Sequence, residues 1–189
     1  MNGYKQKKYG EVNGKTIIDN MISNRGCEPL IVVSFGYGGQ SASALKTNVL
    51  PYIVKNYSTF VEYNKNDSDS TILGKVKQQR NHFALAGLSN GAQYTLSVGL
   101  AMHSDYFSWF GCFSGASLIT PPKNMLKVNH VYFTCGKQDP NNLATTRYMY
   151  KKLQDNSDVL KCSMTEMAGE HEWKVWYTSL YNVLQIFFK

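Results

Sequence analysis

Phe83-Ala84-Leu85-Ala86-Gly87-Leu88-Ser89-Asn90-Gly91-Ala92 is the stretch on which the fold turns. Its first four residues are a short, unbroken apolar run, as expected of a strand buried on both faces. A helix to about His103 is expected after Ser89. Between the two, Gly87-Leu88-Ser89-Asn90-Gly91 has the form G-x-S-x-G, in the strand-to-helix context that a nucleophile elbow requires. The glycines permit a tight, strained turn with close packing on either side. Such a turn lifts the serine hydroxyl above the sheet edge. It also aims the backbone N–H of Asn90, at a helix N-terminus, toward a developing oxyanion. An ordinary tight strand-to-helix turn is the competing reading of these five residues.

Upstream, Lys15 to Asn24 carries Ile17, Ile18, Met21 and Ile22 at helical spacing, with Gly26 placed to close the helix as its C′ residue. Leu30-Ile31-Val32-Val33 reads as another doubly buried strand, followed by the glycine-rich turn Gly36-Tyr37-Gly38-Gly39. Ser41 or Ser43 suits the cap of a helix running to about Tyr57, with a kink or break expected at Pro51. The polar stretch from Asn64 to Ser70 reads as a surface insertion. Downstream, strands are expected at Trp109 to Phe113, Val128 to Cys135 and Leu160 to Met167. Helices are expected at Leu143 to Gln154 and Glu172 to Phe188. Short apolar strands alternating with helices predict an α/β fold: a mostly parallel sheet of about five strands, with helices on both faces. Chemistry in such sheets sits beyond the carboxyl ends of the strands.

Two further motifs fall at such ends. Asp139, in Thr134-Cys135-Gly136-Lys137-Gln138-Asp139, follows the fourth expected strand. A carboxylate there suits the fixing of a histidine tautomer, although Asp139-Pro140 before a helix is equally a good cap. His171, in Gly169-Glu170-His171-Glu172-Trp173, follows the last strand and is placed as a general base and then a general acid. His82, His103 and His130 lack that placement and read as structural or exposed. The order Ser89, Asp139, His171 is the order in which an α/β-hydrolase carries its triad.

Composition sets outer bounds. The 189 residues are 43% hydrophobic and 17% charged, enough for one sizeable core and one domain. The net charge of +7 is not gathered into a patch. Its densest run, Lys5-Gln6-Lys7-Lys8, reads as a solvated terminus, and Lys75, Lys77 and Arg80 sit near a polar loop. With no recognised motif beside the charge, no nucleic-acid partner is expected. No apolar run approaches the roughly 18 residues of a membrane span, and the first residues have no signal-peptide core. No pair of the four cysteines, Cys27, Cys112, Cys135 and Cys162, has C-x-x-C spacing, so buried free thiols are expected and a metal site is not.

From about Thr16 to the end, the chain resembles the esterase family of α/β-hydrolases that contains the feruloyl and acetyl-xylan esterases of carbohydrate esterase family one. The resemblance rests on "PYIVKNYST", "HFALAGLSNGA", "YFSWFGCFSGA" and "GEHEWKVWYTSLYNVLQIFF". It implies Ser89, Asp139 and His171 as the triad and the Asn90 N–H as an oxyanion donor. It also implies no metal or cofactor, an extracellular setting, and a small-molecule or polysaccharide ester as substrate. Trp173 and Trp176 match aromatic positions of the family, with core packing the favoured role. Asn90 and Ala92 stand where the family has Met and Gly. Aligned on the family, Leu30 to Val33 matches the strand that follows a loop of the HGGG type, the source of the second oxyanion N–H. The usual N-terminal strands then have no counterpart, and the domain is expected to be an N-terminally truncated one. Gly36-Tyr37-Gly38-Gly39 has residue types that suit the oxyanion loop as an alternative. Three functional readings follow: a serine esterase on feruloyl or acetyl esters of xylan, a catalytically impaired carbohydrate-binding relative, and an enterobactin-type or thioester esterase on the same fold.

Overall fold

The computed structural model describes residues 13–35 and 42–189. The turn expected at Gly36 to Gly39, the candidate cap Ser41 and the basic run Lys5 to Lys8 lie outside the described residues.

Helix α1, Gly14–Ser23, starts at Asn13, whose side chain accepts from the N–H of Thr16. The helix ends one residue earlier than Gly26 suggests. Arg25 takes the left-handed conformation (φ 54°), its N–H donating to Ile22 O. Gly26, as the next residue, donates to Met21 O at 2.8 Å, which completes a Schellman closure. Helix α2 spans 42–56, so Ser43 lies inside its first turn. It does not break at Pro51. Instead, a π-helical turn over Leu45–Val49 precedes the proline, and the N–H of Leu50 bonds to Leu45 O. The wider turn accommodates a residue that has no N–H to give and whose ring crowds the carbonyl one turn back.

The polar stretch leads into a helix that the sequence pattern does not announce, α3, Asp69–Gln78. Ser68 caps it, accepting from the N–H of Thr71, while Ile72 and Val76, one turn apart, are fully buried. Lys75 bonds Asp67 at 2.7 Å and Lys55 bonds Asp69 at 2.6 Å. Lys77 pairs with Asp105 at 2.6 Å, and the Arg80 guanidinium donates to the carbonyls of Ser104, Phe107 and Lys127. These cations tie α3 to the segments beneath it.

The strands are β1 (Ala84–Leu88), β2 (Trp109–Phe113), β3 (His130–Gly136) and β4 (Cys162–Met167). They are joined by α4 (90–103, with a π-helical stretch at Thr95–Leu100) and α5 (Leu143–Gln154), and followed by α6 (Trp173–Leu184). All pairings are parallel, in the order β1-β2-β3-β4. Side chains alternate across β2. Phe110 and Cys112 enter a large core with Phe133, Leu96, Leu100, Ile72, Val54, Met149 and Leu153. Trp109 and Phe113 face the other way, onto Tyr132, Val183 and Phe187. Helix α1 packs outside α6 through Met21, Cys27 and Leu184. The last helix stops at Leu184, not Phe188, because the chain turns there and Phe187 and Phe188 fold back onto Trp109.

The fifth expected strand is absent. Residues 30–33 form no regular element and pair with nothing among the described residues, and Ile31, Val32 and Val33 are 45%, 53% and 42% exposed. Among the described residues strand β1 is consequently an edge strand, and Ala86 on it is exposed. Four consecutive apolar residues fit a doubly buried strand only when a neighbouring strand supplies the hydrogen bonds.

His103 and His130 are structural, as their placement suggests. His103 bonds the carbonyl of Ala42 at 2.8 Å, whereas exposed His82 stacks on Phe60. His130 is 2% exposed and its Nε2 lies 2.6 Å from Ser163 Oγ. Burial first, and then the positive charge of Lys161, lower its pKa to about 4. The unfolded histidine titrates near 6.5, so on acidification the unfolded chain takes up a proton that the folded one refuses. Stability therefore falls as pH drops through about 6.5, by roughly 2 kcal/mol from pH 7 to pH 5. Urea melts at the two pH values should show this fall, and His130→Gln should remove most of it. An equal fall in both proteins contradicts the assignment.

Candidate active site

Ser89 sits between β1 and α4 with φ 53° and ψ −119°, a conformation that costs a non-glycine residue about 1–3 kcal/mol. The surroundings hold it there. Its N–H donates to Phe113 O at 2.8 Å, and its carbonyl accepts from Ala92 and Gln93 at 3.0 and 3.2 Å, starting the helix. The two motif glycines have different roles. A Cβ on Gly87 would lie 2.3 Å from the carbonyl carbon and oxygen of Gly91, whereas a Cβ on Gly91 would meet nothing within 4 Å. Gly115, beyond β2, closes the turn from the other side, since a Cβ there would lie 2.5 Å from Ser89 O. Asn90, the first helical residue, is exposed, and its N–H is one of the orphan donors of the helix start.

Asp139 follows β3 and is 1% exposed. Its Oδ1 accepts from the backbone N–H groups of Asn141 and Asn142 at 3.2 and 3.1 Å. Its Oδ2 accepts from His171 Nδ1 at 2.8 Å, and the thiol of Cys135 lies 3.8 Å from the same oxygen. Burial alone would raise the carboxyl pKa. The hydrogen bonds from His171, from the Asn142 side chain and from the two backbone N–H groups outweigh it, and hold the group below the usual carboxylate range. The competing roles read from the sequence thus coexist: one oxygen organises the turn into α5 while the other faces the histidine.

His171 follows β4 and its side chain is 33% exposed. Its Nε2 lies 2.9 Å from Ser89 Oγ. With Nδ1–H directed at an ionised carboxylate, Nε2 is the bare nitrogen and the serine hydroxyl donates to it. The loops carrying Asp139 and His171 are bonded to each other. Lys137 N–H donates to Met167 O at 2.8 Å, Gln138 N–H to Gly169 O at 3.0 Å, and Gly169 N–H to the Gln138 side chain at 2.8 Å. Gly136 lets them meet, since a Cβ there would lie 2.3 Å from Gly169 O. Trp176 presents its ring nearly perpendicular to His171 at 5.0 Å and packs against the core, as expected. Trp173 does not: it is 36% exposed and lies against Trp176 and Tyr177.

The three residues singled out by the sequence are therefore within hydrogen-bond reach of one another, from the ends of three different strands. Sequence reasoning missed Asn142, Gly115 and the Gly136–Gly169 contact. Of these only Asn142 left a signal, as a polar residue three places after Asp139 at a helix start. All four cysteines are free, and burial pushes the Cys135 thiol up to about 11 and that of Cys162 to about 12. Among the described residues no group of three or more His, Cys, Asp or Glu is arranged to hold a metal ion, and no helix is long and apolar enough to cross a membrane.

The architecture matches solved structures of ferulic acid esterases. A CE1 ferulic acid esterase from the anaerobic fungus Anaeromyces mucronatus, without substrate, superposes with a TM-score of 0.61 at 18% identity, covering 89% of this chain and 68% of that one. The same esterase in complex with ferulic acid gives 0.60 at 17% identity, covering 89% and 69%. Another ferulic acid esterase gives 0.59 at 17% identity, covering 90% and 75%. The chain thus has the α/β-hydrolase fold of the CE1 carbohydrate esterases. Among curated proteins, endo-1,4-beta-xylanase Y of Acetivibrio thermocellus is 31% identical over 111 residues, which are 56% of this chain and 10% of the xylanase. The chain is therefore similar to a small part of that protein. No protein-family model matches it.

Proposed function

We propose that this chain is a serine carboxylic-ester hydrolase acting on feruloyl or acetyl esters of plant cell-wall polysaccharide. The observation that carries the proposal is the strained Ser89, with its hydroxyl 2.9 Å from a histidine whose other nitrogen faces a buried carboxylate at 2.8 Å. In the reaction, Ser89 Oγ attacks the ester carbonyl as His171 Nε2 accepts its proton. Asp139 stabilises the imidazolium so formed and keeps its own charge. The carbonyl oxygen becomes an oxyanion facing the N–H of Asn90. The tetrahedral intermediate collapses, the C–O bond to the alcohol breaks, and the imidazolium protonates the leaving oxygen. Water repeats the sequence on the acyl-serine and releases the acid. The choice of ester rests on the fold shared with ferulic acid esterases, one of them solved with ferulic acid.

The second reading is an esterase-like carbohydrate-binding protein of low activity. The exposed 30–33 segment and the β1 edge, neither of which has a pairing strand on that side among the described residues, favour it. We propose further that the chain is one hydrolase domain of a secreted protein.

An assay with methyl ferulate, acetylated xylan and short p-nitrophenyl esters separates the readings. Esterase function predicts turnover of methyl ferulate or acetylated xylan that Ser89→Ala abolishes. Xylan binding without turnover supports the second reading. Turnover confined to thioesters or catechol-type esters redirects the substrate class while keeping the chemistry.

A further inference from the structure

Asn142 occupies the N-cap position of α5, where an asparagine side chain ordinarily accepts from a helix N–H. It makes no such bond. Its amide nitrogen instead lies 3.1 and 3.2 Å from the two oxygens of Asp139, and 3.1 Å from Nδ1 of His171. The opposite amide orientation would press an oxygen against the carboxylate, so the group facing Asp139 is the NH₂.

The consequence lies in the plane of the carboxylate. Asp139 is buried, and its backbone donors both reach Oδ1. Rotation about the Cβ–Cγ bond moves both oxygens together, and these two bonds restrain it from the Oδ1 side. The Asn142 amide spans both oxygens and adds a restraint at Oδ2, beside the Cys135 thiol. While Nδ1 carries its proton, the Asn142 amide and the imidazole are both donors, so their contact is not a hydrogen bond. Each must turn toward the carboxylate between them. We propose that Asn142 is a positioning residue: it locks the Asp139 carboxylate so that Oδ2 receives Nδ1–H of His171, which leaves Nε2 bare toward Ser89. The proposal rests on the serine-esterase reading for its effect on turnover, but not for its effect on the histidine proton.

The test is a double-mutant cycle. Asn142→Leu keeps the volume and removes the donor; because the side chain makes no capping bond, α5 loses little. It should lower kcat on an aryl ester about tenfold to a hundredfold, as expected for a loosened catalytic group, with KM and the melting temperature little changed. In an Asp139→Asn background the same substitution should cost less than about twofold, because its target has gone. Equal losses in both backgrounds, or no loss in either, overturn the proposal. A proton spectrum supplies the activity-independent arm. The downfield Nδ1–H signal of His171, identified by its loss in His171→Ala, should be present in the wild type and weakened or shifted in Asn142→Leu; an unchanged signal overturns the proposal. Turnover that survives Ser89→Ala would instead overturn the esterase reading, and the proton signal then decides the role of Asn142 alone.

Discussion

His171→Ala is expected to yield a folded protein whose kcat on aryl and feruloyl esters is lower by about 10⁴- to 10⁶-fold. The size follows from the geometry. Nε2 is the group within hydrogen-bond reach of Ser89 Oγ, at 2.9 Å, and Nδ1 is what the buried carboxylate faces. Removing the ring takes away the proton acceptor in attack and the proton donor in collapse of the intermediate. Folding should suffer little. The side chain is one-third exposed, its ring contact is with Trp176 in the first turn of α6, and the loop around it is held by backbone bonds to Gln138. Parallel measurement of kcat and of the urea midpoint checks both halves. A loss under tenfold would contradict the assigned role of His171. A collapse of the fold would contradict its peripheral placement.

Gly87→Ala and Gly91→Ala should behave as opposites, although both remove a glycine of the same five-residue motif. On Gly87 the new methyl would stand 2.3 Å from the backbone of Gly91. No side-chain rotation relieves that contact, so β1 and α4 must separate and the turn at Ser89 must open. The expected cost is roughly 3 kcal/mol or more, with ester hydrolysis essentially lost. On Gly91 the methyl meets nothing within 4 Å, and the residue is already helical. That variant should fold as well as the wild type or up to about 1 kcal/mol better, since alanine is the stronger helix former. Denaturant melts of the two proteins check the contrast, and equal midpoints would contradict it.

The pair also marks how far the sequence can be read. G-x-S-x-G announces the turn but not which glycine is under pressure, because that depends on how closely strand and helix approach. Ser89, Asp139 and His171 were legible through their order and their places after apolar runs. Asp139 looked equally like a cap, and with one oxygen on Asn141 and Asn142 and the other on His171 it does both jobs. Asn142 left only the signal of a polar residue at a helix start, which has an ordinary explanation that only coordinates remove. Helix α3 was hidden because polar residues dominate it: only Ile72 and Val76 are fully buried, with Leu73 partly buried against the core. Leu30 to Val33 misled for the opposite reason: composition reports that a segment can be buried, and not whether a partner strand exists to bury it. Among the described residues, the four parallel strands and six helices otherwise follow the expected alternation.

The central claim is that Ser89 is a nucleophile activated by His171. Mass spectrometry of the protein after incubation with a fluorophosphonate tests it without any choice of ester. The account predicts one adduct, on the peptide containing Ser89, absent from Ser89→Ala and formed far more slowly in His171→Ala. A folded wild-type chain that stays unmodified, or an adduct that persists in Ser89→Ala, would contradict it.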